Sequence, residues 1–158
     1  MIRIRPYKAT DANTILLWCQ DERAFYQWTA GVMGNYPITN DEFAFVENLM
    51  PFTAFDENGV MGFFTFRNPS EATDELRLGF VIVNPSKRGA GYGKAMLQQG
   101  LKYAFEIYGA KRVSLVQRIL NNFTLSLSSI SSAASQNLAV ATATPSILFL
   151  AAEIESYA

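Results

Sequence analysis

The 158-residue sequence contains no histidine and a single cysteine, Cys19. The first absence removes imidazole-based triads and metal sites with His ligands. The second removes an internal disulfide. Cys19 lies in an apolar-periodic stretch and reads as a buried residue, not a nucleophile. Charge is sparse as well, at 17% of residues, with a net charge of -1 and no basic block. Nothing therefore points to a nucleic-acid backbone as partner. After Arg118 the only charges are Glu153 and Glu155. The uncharged run Ile119 to Ala152 is broken by Ser, Thr, Asn, Gln and Pro145, which argues against a membrane span. The opening MIRIRPYK lacks the apolar core of a signal peptide. A cytoplasmic protein is the expectation. Its apolar content of 49% is enough to build the core of a single domain over residues 1–158.

Ile2 to Arg5 predicts a short strand ended by Pro6. Thr10 or Asp11 then caps a helix with Ile15, Leu16, Leu17 and Cys19 as its apolar positions. Asp21 to Ala30 predicts a second helix, closed by Gly31, and Thr39 or Asn40 starts a third with Phe43, Val46, Leu49 and Met50 on one face. After Pro51 the pattern turns to strands: Phe52 to Phe55, a four-residue turn Asp56-Glu57-Asn58-Gly59, and Val60 to Phe66. Glu75 to Val83 is a longer strand, with Leu76, Leu78, Phe80 and Ile82 on one face and Glu75, Arg77, Gly79, Val81 and Val83 on the other. A helix follows to about Tyr108, with Leu97, Leu101, Ala104, Phe105 and Tyr108 in a stripe and Gly109 as C-cap. Lys111 to Val116 is a further strand. This order describes a mixed α/β (α+β) domain.

Between the long strand and its helix lies NPSKRGAGYGKAML, Asn84 to Leu97. Helix N-termini leave N–H groups unsatisfied and carry partial positive charge. Glycines let such a backbone approach a ligand, and successive N–H groups can surround a phosphate. Lys87, Arg88 and Lys94 add positive charge at the mouth. A diphosphate-bearing ligand is the functional reading, and a plain turn is the alternative. No Gly-Lys-Ser/Thr is present, because Gly93-Lys94 precedes Ala95, so a Walker loop is excluded. Gly89, Gly91 and Gly93 are spaced G-x-G-x-G, which does not fit a dinucleotide fingerprint.

The segment VIVNPSKRGAGYGKAML resembles the signature of the GNAT superfamily of acyl-CoA-dependent N-acyltransferases. Val83, Pro85, Arg88, Gly89, Gly91 and Gly93 match its V-x-P-x-x-R-G-x-G-x-G pattern. RIRPYKATDANTILLW is similar to the family's opening strand and helix, and FYQWTAGVMGNYPIT is similar to one bacterial subgroup. The resemblance covers Met1 to about Gln117. It implies a mostly antiparallel sheet flanked by helices and splayed at the strands near 75–83 and 111–116. It also implies acetyl-CoA as co-substrate and a small-molecule or peptide amine as acceptor. Backbone groups of Ile82 and Val83 would pair with the pantetheine arm. The N–H groups of Arg88, Gly89, Ala90, Gly91, Tyr92, Gly93 and Lys94 would hold the diphosphate.

The resemblance weakens after Arg118. Asn121 and Asn122 fall near the family's asparagine, one residue late, and are cofactor-binding candidates on that ground. Ser128 and Ser129 stand where the family places its thiolate-protonating tyrosine, and no Gly-Phe pair follows. Tyr157 is the only tyrosine after Tyr108. The tail is a diverged working segment, the mark of a relative that binds CoA without turnover, or the product of a shifted reading frame. Composition and motif fail at the same place, which favours the last. A Ser/Ala-rich tail that docks on a partner, or on a second copy in a homodimer, is a further alternative. Glu75, two residues from the family's glutamate position at Arg77, is the candidate base. Asp21, Glu22, Tyr26, Trp28 and Tyr36 are candidates to line a site for a cationic amine.

Overall fold

The computed structural model describes residues 1–43, 45, 48–68, 74–118, 138–144 and 147–153. Its strands are β1 (Arg3–Pro6), β2 (Leu49–Asp56), β3 (Gly59–Arg67), β4 (Glu75–Val83), β5 (Arg112–Arg118), β6 (Leu138–Thr144) and β7 (Ile147–Glu153). They form one sheet in the order β1-β2-β3-β4-β5-β7-β6. Every neighbouring pair is antiparallel except β4 and β5, which run parallel. Its helices are α1 (Ala12–Leu16), α2 (Glu22–Thr29) and α3 (Tyr92–Lys102), the last prolonged by a wider π turn over Tyr103–Tyr108. This is a mixed α/β domain with a mostly antiparallel sheet. None of the described helices is long and apolar enough to cross a membrane.

The sheet separates two cores. One joins Phe52, Phe64, Phe66, Leu76 and Leu78 to Met96, Leu97 and Ala104 of the α3 side. The other joins Phe63 and Ile82 to Ile15, Trp18, Cys19, Phe25 and Met33 of the α1 and α2 side. Phe63 and Phe64, consecutive on β3, thus face opposite layers, as strand alternation requires. Gly62 and Gly100 permit the close approach of α3 to the sheet. A Cβ at Gly62 would stand 2.4 Å from Met96 Sδ, and one at Gly100 would stand 3.3 Å from both Leu78 and Phe64.

Several sequence expectations are corrected. The segment from Thr39 forms no long helix: Phe43 N–H reaches Thr39 O, and Glu42 accepts from Thr39 N–H and Oγ1–H, closing a single turn. Leu49 and Met50 then pair with Arg67 and Phe66 in the sheet, while Val46 lies outside the described residues. The β2–β3 hairpin turns on Glu57 and Asn58 alone, since Asp56 and Gly59 already pair. Helix α1 ends at Leu16 and leaves Leu17 75% exposed. Cys19 is buried as expected but lies beyond that helix. On α3 the π turn rotates Tyr108 out of the apolar stripe to 42% exposure, and Met96 is fully buried in its place.

Asp11 does not cap α1 through its side chain. It is buried and accepts two hydrogen bonds from the Arg5 guanidinium (2.7 and 2.8 Å), one from Lys8 N–H (3.0 Å) and one from Thr53 Oγ1–H (2.9 Å). The cluster ties β1, the start of α1 and β2 together. Burial alone would raise the Asp11 pKa, but these four donors and the Arg5 charge hold it below the ordinary carboxylate value.

Candidate functional site

Strands β4 and β5 are parallel neighbours only from Glu75↔Arg112 to Leu78↔Leu115. Their closed end is fixed by Asp74, whose carbonyl accepts from the N–H groups of Lys111 (2.8 Å) and Arg112 (3.2 Å). Beyond Leu78 the ladder stops and the strands part. On its other edge β4 stays paired to β3 through Phe63↔Ile82 and Gly62↔Val83. Asn84 N–H donates back to Met61 O at 2.9 Å. Backbone groups alternate along a strand, so Ile82 faces β3 with Asn84, whereas the N–H and C=O of Val83 point toward the opening.

The parting coincides with a bulge. The β3–β4 register shifts between Phe63 and Thr65, and Phe80 has φ 49°, left-handed backbone in a strand. The extra residue reverses the alternation expected for this strand. Leu76 and Leu78 share the α3-side core with Val81 and Val83, whereas Phe80 and Ile82 pack on the α1/α2 side. The carbonyls at the bulge are taken up by side chains. Thr65 Oγ1–H donates to Gly79 O (3.3 Å), and Trp28 Nε1–H donates to Phe80 O (2.7 Å).

Past Val83 the chain makes a short 3-10 turn over Pro85–Lys87, anchored by Asn84 Oδ1, which accepts from Ser86 N–H (3.0 Å) and Oγ–H (2.9 Å). Gly89 (φ 79°) and Gly91 (φ 80°) are both left-handed, with Ala90 between them. Gly91 is the N-cap of α3, and the helix ladder begins where Ala95 N–H donates to Gly91 O (3.0 Å). The N–H groups of Tyr92, Gly93 and Lys94 therefore have no acceptor within the helix. Among the described residues, a Cβ on Gly89 or Gly91 would meet nothing within 4 Å. Lys87 Nζ sits 5.3 Å from the Tyr92 ring centroid, and Arg88 is exposed. Left-handed glycines and a helix start thus stand at the end of β4 where it parts from β5, in a segment that carries Lys87, Arg88 and Lys94, an arrangement suited to a diphosphate.

The remaining candidates have these partners. Glu75 lies at the closed end of β4, about 25 Å along the strand from Val83 at roughly 3.3 Å per residue. Its Oε1 accepts from Ser114 Oγ–H (2.7 Å) and Arg77 Nε–H (3.3 Å). Asp21 caps α2 by accepting from Ala24 N–H (2.7 Å). Tyr26 Oη accepts from Tyr36 N–H (3.1 Å), and Glu22 is exposed. Asn121 and Asn122 lie outside the described residues, as do Ser128, Ser129 and Tyr157. The bulge and its Trp28 bond were missed by sequence reading; Gly79 inside an otherwise apolar strand was the one available sign.

Burial pushes the Cys19 thiol up to about 11, while Arg88 draws it down and Asp21 adds to the rise. Alkylation of the folded chain at neutral pH is therefore expected to run at least about a hundredfold slower than that of the unfolded chain. Equal rates in the two states would contradict the buried placement.

Residues 13–126 match the model of the Acetyltransferase (GNAT) family. No curated protein matches the sequence. Among solved structures, a spermidine N-acetyltransferase from Vibrio cholerae in complex with CoA and spermine superposes with a TM-score of 0.68 at 12% identity, covering 96% of this chain and 95% of that one. The ribosomal-protein-S18-alanine N-acetyltransferase from Escherichia coli gives 0.65 at 17% identity, with 100% and 97% covered. PaiA N-acetyltransferase from Thermoplasma acidophilum with coenzyme A gives 0.61 at 14%, with 98% and 99% covered. At these identities the likeness is one of fold.

Proposed function

Because the chain belongs to the GNAT acetyltransferase family, we propose that it moves an acetyl group from acetyl-CoA to a primary amine by direct attack. The observation that carries this reading is the meeting of the Gly89–Gly91 loop with the β4–β5 opening at one end of β4. The loop N–H groups from Arg88 to Lys94 hold the diphosphate, with Lys87, Arg88 and Lys94 supplying charge. Val83, whose peptide groups face the opening, pairs with the pantetheine arm, and Ile82 supports it from the β3 side. The thioester then lies between the parted strands. The amine nitrogen attacks the thioester carbonyl, the carbon–sulfur bond breaks, the thiolate gains a proton and the amine loses one. The chain's contribution is positioning and polarisation, with no covalent enzyme intermediate. Glu75 is left to its structural bonds in this scheme.

Acceptors of two classes are represented among the similar structures, a polyamine and a protein alanine. Both belong in the test. Release of free thiol from acetyl-CoA, followed with spermidine, with simple primary amines and with peptides bearing free N-termini, is expected with at least one class. Binding of acetyl-CoA with no thiol release from any of them would favour the second reading, a CoA-binding relative without turnover. The observation behind that reading is the absence of tyrosine between Tyr108 and Tyr157.

A further inference from the structure

We infer that Trp28 is a positioning residue for the reacting end of acetyl-CoA, acting through the bulge in β4; this rests on the acyl-CoA reading of the opening. Phe80 is an aromatic residue in left-handed backbone, a conformation that persists only where the surroundings over-determine it. Three features do so here. The Phe80 side chain packs against the α1/α2-side core. Thr65 Oγ1–H holds the preceding carbonyl, and Trp28 Nε1–H holds the Phe80 carbonyl at 2.7 Å. The Trp28 ring is itself fixed edge-on to Phe25 and Phe63, with centroids at 6.4 and 5.6 Å, so its N–H has one direction to point.

The bulge decides which peptide groups face the opening. It lies between the last β5-paired residue, Leu78, and Val83. Without the extra residue, the alternation set at Leu76 and Leu78 would continue, and Val83 would exchange sides with Ile82. A single indole N–H from α2 thereby sets the edge offered to the pantetheine and thioester. The diphosphate loop, four or more residues further along, holds its shape through Asn84 and its own glycines. Loss of the indole bond should therefore damage recognition of the acyl-pantetheine end while sparing the nucleotide end.

The test uses two probes on the intact chain: acetyl-CoA, and ADP, which carries the diphosphate without the pantetheine arm. Trp28→Phe keeps an aromatic ring and removes the donor. It is expected to weaken acetyl-CoA roughly tenfold and to leave ADP within about twofold, the loss of one hydrogen bond to a part-buried carbonyl being of that order. In the wild-type chain, the indole N–H resonance of Trp28, distinguished from that of Trp18 by its absence in Trp28→Phe, should shift on adding acetyl-CoA and stay in place on adding ADP. Equal weakening of both probes, or of neither, would overturn the inference. If Trp28→Phe does not fold, the resonance is assigned instead as the indole N–H that persists in Trp18→Phe, and its behaviour in the wild-type chain decides: no difference between the probes overturns the inference. A wild-type chain that binds neither probe would overturn the acyl-CoA reading itself, and the inference with it.

Discussion

Asp11→Ala is expected to lower the stability of the fold by about 3 kcal/mol, the low end of the range for removing one partner of a buried ion pair. The low end applies because Arg5 keeps 26% of its side chain exposed and can recover water, whereas Asp11 has 5%. The substitution also leaves Lys8 N–H and Thr53 Oγ1–H without their acceptor. In a chain of this size the loss corresponds to a melting temperature lower by roughly 10 °C. Its pH dependence has a definite sign. The folded-state pKa of Asp11 is depressed, so its contribution is fully present above the unfolded carboxylate value near 4 and disappears as pH falls through the folded value. The stability gap between wild type and Asp11→Asn should accordingly be constant near pH 7 and close below about pH 4. Thermal melts of the two proteins from pH 7 to pH 3 measure this, and a gap that widens on acidification would refute the assignment.

Gly91→Val is expected to weaken acetyl-CoA binding by about a hundredfold while the chain stays folded. Gly91 occupies left-handed backbone at the start of α3, where a β-branched residue is strained by roughly 1–3 kcal/mol. Among the described residues no atom other than those of its chain neighbours lies within 4 Å of the new Cβ, so none of the described core is displaced. The strain is relieved locally, by turning the loop away from the conformation that aligns its N–H groups. Losing two charge-assisted hydrogen bonds to the diphosphate accounts for the factor. Calorimetric titration of the variant, with its melting curve as control for folding, tests the point.

The parts of this molecule legible in the sequence are those governed by local chemistry. The helix read over Asp21 to Ala30 forms as α2, Gly109 adopts the left-handed backbone after the long helix, and β4 runs from Glu75 to Val83, all as composition and periodicity predict. The misread segment before β2 had apolar spacing that fits a helix at Phe43, Val46, Leu49 and Met50. There the hydrogen bonds of β3 prevail: Leu49 and Met50 join a ladder whose partners lie more than fifteen residues away, and no window of local sequence contains them. Pro51 marked the change of structure two residues late, because a proline is tolerated within β2.

The candidate site divides in the same way. The glycine loop is visible because left-handed backbone at a helix start demands glycine, and the residues demanded are present. The bulge is nearly invisible because Phe80 gives no sign of a positive φ, and the forces that hold it come from Thr65 and Trp28, fifteen and fifty-two residues away. The parting of β4 from β5 is likewise a property of two distant strands, and only the family resemblance anticipated it.

The proposed acyl-CoA site, formed by the loop at the head of α3 beside the parted strands, is tested by calorimetric titration of the intact chain with acetyl-CoA. Saturable binding of one molecule per chain is expected, weakened about a hundredfold in Gly91→Val. A folded chain that takes up no acetyl-CoA, or one whose affinity is the same in Gly91→Val, would contradict it.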